Sequence, residues 1–267
     1  MKLSLHSVAA SCVIFFGYIA HSSFLQYWFY VRRKDCVSDW KIQSNNTNTV
    51  GTLWGWSFFS SKPHRAPLHS LITCVNLFIA SCFALMATEC SVRRVNRMTY
   101  EDFDVNLLPT IFCQVLLACT YESLAEYYWH RLMHLKFFYI AFHKMHHQYK
   151  APEPFDDMYI HPVEAFGYYC ILYAPPFLFT MHYVSFIAYM VIMGIFGVMD
   201  HSGIKFSIPA IYNTVDHDSH HAKFEVNYSF PFPYLDILHG TFEGEFLGRQ
   251  YTRKRTIWDS ISVSKHN

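Results

Sequence analysis

The feature that most limits the fold is a series of apolar segments long enough to cross a lipid bilayer. A transmembrane helix needs about 20 mainly apolar residues, and three segments meet that length: Ser7 to Val31, Pro67 to Thr88 and Val105 to Trp129. A fourth segment, Glu164 to Met199, is too long for one span and is divided by Pro175–Pro176, so it predicts a hairpin of two helices. We therefore expect an all-α integral membrane protein.

The composition agrees with a chain that lies partly in lipid. Charged residues make up 15% of the 267 residues, whereas soluble domains carry about 25%. The net charge of +1 argues against a nucleic-acid-binding protein, which would present a strongly basic domain. The eight cysteines form no CxxC pair and lie in apolar runs, so we expect small buried side chains rather than a disulfide framework or a zinc finger.

The loop charges predict the orientation of the chain in the membrane. The first apolar segment is expected to be a retained anchor rather than a cleaved signal peptide, because apolar residues resume at 24–31. Lysine and arginine favour the cytosolic side, which predicts that residues 34–62 and the C-terminal tail are cytosolic and that residues 89–104 are luminal. The first loop carries Arg32, Arg33, Lys34, Lys41, Lys62 and Arg65, and the second carries Arg93, Arg94 and Arg97.

Histidine is common, with 17 residues, and eight of them recur at helical spacing. His130 and His134 are four residues apart at the end of the third span. Two further groups, HKMHH at 143–147 and HDSHH at 217–221, repeat the spacing i, i+3, i+4, which predicts one helical face for each group. The number of predicted spans places all three groups on the same side of the membrane.

This constellation predicts a metal centre. Imidazole binds iron, zinc and copper, and eight buried neutral imidazoles without a metal would each need a hydrogen-bond partner. A tetrahedral site uses four ligands, so eight to ten histidines imply two ions. The predicted ligands are His130, His134, His143, His146, His147, His201, His217, His220 and His221, with His161 as a tenth. The position of His161 before Pro162 fits a helix start or a supporting residue equally well.

Two glutamates precede the first histidine group in steps of four residues. Glu122 and Glu126 share a helix face with His130 and His134. A carboxylate inside a membrane helix is costly and often functional, and its expected use is to orient a ligand histidine through the second ring nitrogen. The alternative is a glutamate that reaches the lipid headgroups at the helix end.

These motifs resemble those of the fatty acid hydroxylase superfamily, in particular its sterol-modifying branch. The stretch from HKMHH to HPVE and the DHSG motif are similar to sterol 4-methyl oxidases and cholesterol 25-hydroxylases, while PEPF and NYS are similar to sterol 5-desaturases. Asp216 stands where several hydroxylases have a further histidine. The matching motifs, which cover roughly the C-terminal half, are HRLMH, HKMHH, APEPFDDMYIHPVE, DHSG, HDSHH and NYSFPFPYLDILHGT.

The resemblance implies about four transmembrane helices with a cytosolic helical cap that holds a di-iron site, in the endoplasmic reticulum membrane. It also implies O2 as co-substrate, electrons from NAD(P)H through cytochrome b5 or its reductase, and hydroxylation of an unactivated C–H bond of a sterol. His201 lies where the family has a histidine. A basic run from Arg249 to Arg255 could meet an acidic electron donor, although such runs are more often solvated or face lipid headgroups.

Two alternatives remain open at this point. Within the superfamily, the chain could be a sterol desaturase or an alkyl-lipid or fatty acyl hydroxylase. In another class, it could be a multi-pass metal transporter or a metal-storing membrane protein, although a transporter would place ionisable residues within several spans. We expect residues 1–104 to form an N-terminal membrane region with two spans and residues 105–267 to form the catalytic domain. No role is predicted for His6, His21, His64, His69, His182, His239 and His266.

Overall fold

The computed structural model describes residues 2–45 and 66–262. Two of the charges used to predict the orientation, Lys62 and Arg65, lie outside the described residues, as do His64 and His266. The described chain is mainly helical, with three two-stranded sheets. The helices are α1 Leu5–Leu25, α2 Val37–Trp40, α3 Ala66–Val92, α4 Leu108–Met133, α5 Lys136–Phe138, α6 Pro162–Leu172, α7 Pro175–Leu178, α8 Tyr183–Asp200, α9 Thr214–Lys223 and α10 Tyr234–His239.

Four helical segments are long and apolar enough to cross a membrane, which confirms the predicted fold class. They contain α1, α3, α4 and α8, and a π-helical turn extends the first to Arg32. Local sequence explains where helices begin: the Ser4 side chain accepts a hydrogen bond from the backbone of Ser7 before α1, and Pro109 lies in the first turn of α4.

The predicted hairpin is present, but its first arm is shorter than one span. Helix α6 has 11 residues, which corresponds to about 17 Å, whereas the bilayer core is about 30 Å thick. The chain turns after α6, and Pro175, which lacks a backbone N–H, begins the separate short α7. Only the second arm, α8, is long enough to span on its own.

Short strands tie the turn of this hairpin to the loop between α3 and α4. Strand β1, Met98–Thr99, pairs in parallel with β2, Met181–His182, and the backbone N–H of Arg97 donates to Pro176 O at 2.8 Å. The hairpin therefore reaches the side opposite the histidine groups before α8 returns. The other strands form antiparallel pairs: β3 Ser207–Ile208 with β4 Tyr212–Asn213, and β5 Gly244–Phe246 with β6 Arg249–Tyr251.

Contacts at the two ends of the helix bundle define its two faces. At one end, Glu89 of α3 accepts hydrogen bonds from Ser4 N and Ser7 Oγ at the start of α1. At the other end, the Tyr30 hydroxyl donates to Ser202 O at 2.7 Å. The backbone of Lys136 donates to Ile261 O, so the tail also lies at this end. The described part of the first loop, the cap and the tail as far as residue 262 therefore share one face, as predicted.

The cysteines differ from the prediction of buried side chains. All eight are free, as expected, but only Cys119 is buried, whereas Cys12, Cys82 and Cys113 are among those exposed. These three cysteines lie on the long helices α1, α3 and α4, whose outer faces are apolar. A small apolar side chain is compatible with lipid as well as with a protein core, which explains the difference.

Candidate metal centre

Helix ends and short turns bring the three histidine groups together. His130 lies in the last turn of α4, and His134 follows directly after it. The second group spans a π-helical turn that ends at His143 and a 3-10 turn that begins at His146. The third group lies on α9, whose start is capped by Asn213. The buried ends of these elements converge, so the histidines meet inside the cap.

The nine histidines form two clusters, and the division between the clusters does not follow the histidine groups of the sequence. We predicted one helical face for each of the second and third groups, yet each group supplies both clusters. Within each cluster the candidate ligand atoms all lie within 4.8 Å of one another, and all nine residues are buried. Cluster A contains His130, His134, His143, His147 and His220, and cluster B contains His146, His201, His217 and His221.

The nitrogen separations in cluster A are those of ligands that share one ion. Five Nε2–Nε2 distances among His134, His143, His147 and His220 lie between 3.0 and 3.2 Å. Two nitrogens bound at right angles about 2.1 Å from an ion would be about 3.0 Å apart. His130 joins them with its ring centroid 4.4 Å from that of His220.

Cluster B lies directly beside cluster A. His201 Nε2 is 3.1 Å from His146 Nε2 and 2.9 Å from His217 Nε2. The ring of His221 in cluster B is 4.8 Å, centroid to centroid, from the ring of His147 in cluster A. The two clusters therefore form one centre with room for two neighbouring ions.

Hydrogen bonds at the opposite ring nitrogens explain why these clusters fit a cation. In cluster A, Nδ1 of His130 lies 2.9 Å from Tyr228 O and Nδ1 of His220 lies 2.7 Å from Val226 O. A carbonyl only accepts, so the proton is assigned to Nδ1 and Nε2 keeps its lone pair. His221 in cluster B makes the same contact to a backbone carbonyl. Several lone pairs therefore point at one place, an arrangement that a metal ion stabilises.

The pKa values of six of these histidines also favour the neutral, ligating form. Burial, reinforced mainly by neighbouring imidazoles, lowers the pKa well below its usual value for His134, His146, His147, His217, His220 and His221. At His201 burial alone would lower the pKa, but the hydrogen bond and the charge of Asp157 raise it. A neutral imidazole is the form that binds a metal.

Two carboxylates contact the rings of candidate ligands, a role that we did not predict for them from the sequence. Glu164 Oε1 lies 2.5 Å from Nδ1 of His143, and Asp157 Oδ1 lies 3.2 Å from Nδ1 of His201. Both acids belong to the quoted motif APEPFDDMYIHPVE. Acidic residues inside a histidine-containing motif were the available signal, but which imidazole each one meets depends on the tertiary fold.

His161 and the two glutamates of α4 lie outside these clusters. His161 is the N-cap of α6, where its Nδ1 accepts from the backbone N–H of Val163 at 3.2 Å. Glu122 accepts a hydrogen bond from the Tyr189 hydroxyl at 3.0 Å. Among the hydrogen bonds of the described residues, neither Glu122 nor Glu126 meets a cluster histidine. The position of His161 matches the interpretation that it starts a helix. A functional role for the two glutamates stays a prediction.

His69, for which we predicted no role, supports the loop that carries Asp157. It is fully buried on α3, and its Nε2 lies 2.9 Å from Asp156 Oδ1. On the same helix, Asn76 Nδ2 donates to the carbonyls of Met158 and Ile160. Helix α3 therefore holds the loop from both sides of Asp157.

A large cavity connects this centre to the membrane helices. Its volume is about 1260 Å³, and it is lined by residues of α1, α3, α4, α6 and α8. Most of the lining is apolar, such as Ile14, Phe186 and Met190. One end reaches five cluster histidines: His130, His143, His146, His201 and His217. The cavity is larger than the roughly 300–1,000 Å³ of ordinary small-molecule sites, and its mainly apolar lining suits a bulky lipid.

We expect Glu164→Ala to weaken metal binding. The variant leaves the Nδ1–H of His143 without its acceptor, and loss of such a partner costs about 10- to 100-fold in metal affinity or activity. Glu164→Gln is the matched control, because its amide oxygen still accepts from Nδ1–H, so a smaller loss is expected. Elemental analysis after dialysis against graded chelator measures the effect. Equal metal retention by the alanine variant and the parent chain would contradict this role of Glu164.

The region that contains the histidine clusters is also the region that matches known proteins. Residues 115–241 match the family model described as fatty acid hydroxylase. A rat (Rattus norvegicus) lathosterol oxidase is 30% identical over 58% of this chain and 55% of its own length. A delta(7)-sterol 5(6)-desaturase of Gibberella zeae is 30% identical over 49% of this chain and 38% of its own. A methylsterol monooxygenase of Aspergillus fumigatus is 31% identical over 51% of this chain and 49% of its own.

These matches confirm the resemblance predicted from the histidine motifs. The chain spans about half the length, or less, of these relatives. No solved structure matches the chain.

Proposed function

We propose that the chain is a non-haem di-iron oxygenase that oxidises a C–H bond of a sterol with O2, on the premise that residues 115–241 match the fatty acid hydroxylase family model and that similar proteins include sterol-modifying enzymes. The observation that supports this most is the pair of adjacent histidine clusters at the end of a large apolar cavity. Hydroxylation is the proposed reaction, and desaturation of the same substrate class is the alternative, because the relatives include a desaturase as well as a monooxygenase.

The nine clustered histidines would hold the two ions. Iron bound there would supply the two electrons and the O2 chemistry that an unactivated C–H bond requires. Five of the rings line the cavity directly, from both clusters, so a substrate in the cavity would lie against both ions. Glu164 and Asp157 would keep His143 and His201 turned toward the ions.

The cavity walls have two tasks in this proposal. They bind the apolar body of the substrate through burial from water, worth about 25 cal/mol per Å². They also keep bulk water away from the centre, because apolar residues such as Phe186 and Met193 line the cavity that leads to the histidines. The protein thus decides which carbon lies nearest the ions, while the ions supply the reactivity.

The electron source and the orientation are further parts of the proposal. We propose electron delivery from NAD(P)H through cytochrome b5 or its reductase. In the basic run, Arg253 is paired with Asp259 and Glu225, which leaves Arg249, Lys254 and Arg255 exposed for an acidic partner.

We propose an endoplasmic reticulum location with the cap in the cytosol and retain the division into residues 1–104 and 105–267. Engineered glycosylation acceptors would test the orientation, because glycosylation of the C-terminal tail would contradict a cytosolic tail.

The alternative function, that of a metal transporter or a metal-storing membrane protein, fits the structure less well. A transporter needs ionisable groups along a path through its spans. The described clusters instead lie together at one end of α4 and α8, and the cavity that leads from them is mainly apolar.

Sterol profiling tests the proposed function. Membranes from cells that express the chain should convert an added or endogenous sterol when O2 and NADPH are present. A product that gains one oxygen atom indicates hydroxylation, and one that loses two hydrogen atoms indicates desaturation. Membranes that hold a His147→Ala variant at equal abundance serve as the control. An unchanged sterol profile, with metal-loaded protein present, would overturn the proposal.

A further inference from the structure

The metal end of the cavity contains one carboxyl group that pairs with neither a cluster histidine nor a hydroxyl group. Four acids line the cavity: Glu126, Asp157, Glu164 and Asp200. Asp157 and Glu164 meet His201 and His143, and Asp200 accepts a hydrogen bond from the Tyr212 hydroxyl at 2.6 Å. The carboxyl group of Glu126 is hydrogen-bonded to that of Glu122 on the same helix, but its buried Oε2 has no hydrogen-bond partner among the described residues.

A donor without an acceptor lies on the same stretch of α4. The indole Nε1 of Trp129 is buried and finds no hydrogen-bond partner among the described residues, and Trp129 also lines the cavity. Its ring packs so closely on Gly167 of α6 that an added Cβ would lie 2.3 Å from Trp129 Cζ2. Residues three apart are neighbours on a helix surface, so Glu126 and Trp129 offer an acceptor and a donor side by side.

This pair matches the hydrogen-bonding capacity of a hydroxyl group. A hydroxyl donates one hydrogen bond and accepts others. When a lipid fills the cavity it displaces water, and a carboxyl oxygen that then lacks a donor carries a penalty of desolvation. A substrate that brings a hydroxyl to this point avoids that penalty, whereas a fully apolar lipid does not.

The position of the pair fixes the orientation of the substrate. Glu126 lies one helical turn, about 6 Å along the axis, from His130 of cluster A. The opposite end of the cavity also has polar groups, Arg94 and Tyr100, but both residues are exposed. Exposed groups remain solvated without the substrate, so they gain less from its hydroxyl than the shielded oxygen of Glu126 does.

We propose that Glu126, with Trp129, binds the hydroxyl group of the lipid substrate and so presents the hydroxyl-bearing end to the metal centre. The carbon that is oxidised then lies within a few bonds of the hydroxyl-bearing carbon, in the ring system of a sterol rather than at the end of its side chain. This inference rests on the proposed function, because it names the part of the substrate that this centre attacks.

Binding and turnover of a matched pair of sterols test the proposal. One sterol carries its ring hydroxyl, and the other has hydrogen in that place. Purified protein should bind the hydroxylated sterol about 10- to 100-fold more tightly, as measured with radiolabelled sterol in detergent or nanodiscs. Glu126→Leu should remove this preference, Glu126→Gln should retain part of it, and Trp129→Phe, which keeps the ring and loses the N–H, should reduce it. In turnover the loss should appear mainly in KM.

Met190→Leu is the matched control, because it changes an apolar wall of the same cavity and should affect both sterols equally. Thermal melting and metal content show whether each variant is folded. A folded Glu126→Leu protein that keeps the full preference would overturn the proposal, as would a product oxidised at the end of the side chain. A parent chain that binds the hydroxylated sterol selectively but oxidises no sterol would instead contradict the proposed function and leave the binding role of Glu126 intact.

Discussion

Replacing His220 with alanine should abolish oxidation of the substrate and remove metal from cluster A. His220 is fully buried, and its Nε2 lies 3.2 Å from that of His134 and 3.1 Å from that of His147. The substitution removes a ligand and frees the carbonyl of Val226, which holds the ring in place. Since a displacement of 1 Å at a reacting centre can cost about 10²-fold, we expect turnover to fall by at least that factor. Product formation and metal content per chain are the two measurements.

His161→Ala is the informative comparison for His220→Ala. His161 caps α6 and lies outside both clusters, so its loss should cost about 1 kcal/mol of helix stability while metal remains bound. His69 is unsuitable as a neutral control, because it is buried against Asp156. Normal turnover by a folded His220→Ala protein would mean that the clusters are not the active site. Loss of metal in His161→Ala would restore His161 as a ligand candidate.

Removal of metal should stop the reaction, and Fe(II) alone among the ions tested should restore it. We expect two ions per chain, since the nine histidines divide into two clusters. Zn(II) should bind at least as tightly as Fe(II), because nitrogen ligands have a higher affinity for Zn(II). However, Zn(II) lacks the redox chemistry that O2 activation needs. Each ion should also stabilise the fold, by about 2.7 kcal/mol when free metal is 100 times its Kd. Elemental analysis, O2 uptake and melting curves measure these effects.

Fully active protein with a single ion per chain would contradict this second prediction. Activity that returns with Zn(II) as fully as with Fe(II) would also contradict it and would favour a hydrolytic or structural metal. A folded chain that holds both ions without O2 uptake would point to a missing electron donor, which added reductase and cytochrome b5 would reveal. The chelated protein is the matched control in each assay.

The spans and the histidine groups could be predicted because each depends on local spacing. Apolar length alone identifies α1, α3 and α4, and apolar length together with Pro175–Pro176 identifies the hairpin that contains α8. The spacing i, i+3, i+4 identifies the groups that contain His143 and His217. The sharing of these groups between two clusters could not be predicted in this way. His146 and His147 are adjacent in sequence yet belong to different clusters, because adjacent residues point in different directions and the tertiary fold decides what each one meets.

The residues that support the ligands required the tertiary structure. Glu164 meets His143 across 21 positions of sequence, and His69 meets Asp156 across 87. Neither distance leaves a periodic signal. The shortness of α6 was missed for a related reason: the apolar run from 164 to 199 and its break at Pro175–Pro176 predict the hairpin, but not that its first arm ends after 11 residues and is too short to span alone. Spacing rules describe one element, whereas these features arise between elements.

The contact between His146 and His201 has a consequence for how the chain holds together. The two Nε2 atoms lie 3.1 Å apart, and the stretch of chain between them contains the whole hairpin of α6, α7 and α8. An ion shared by these two residues would act as a cross-link that closes this stretch into a ring. A cross-link lowers the entropy of the unfolded chain, and the cost of closing a ring grows only slowly with its length. Loss of that ion would therefore loosen helices inside the membrane as well as the histidine centre above them.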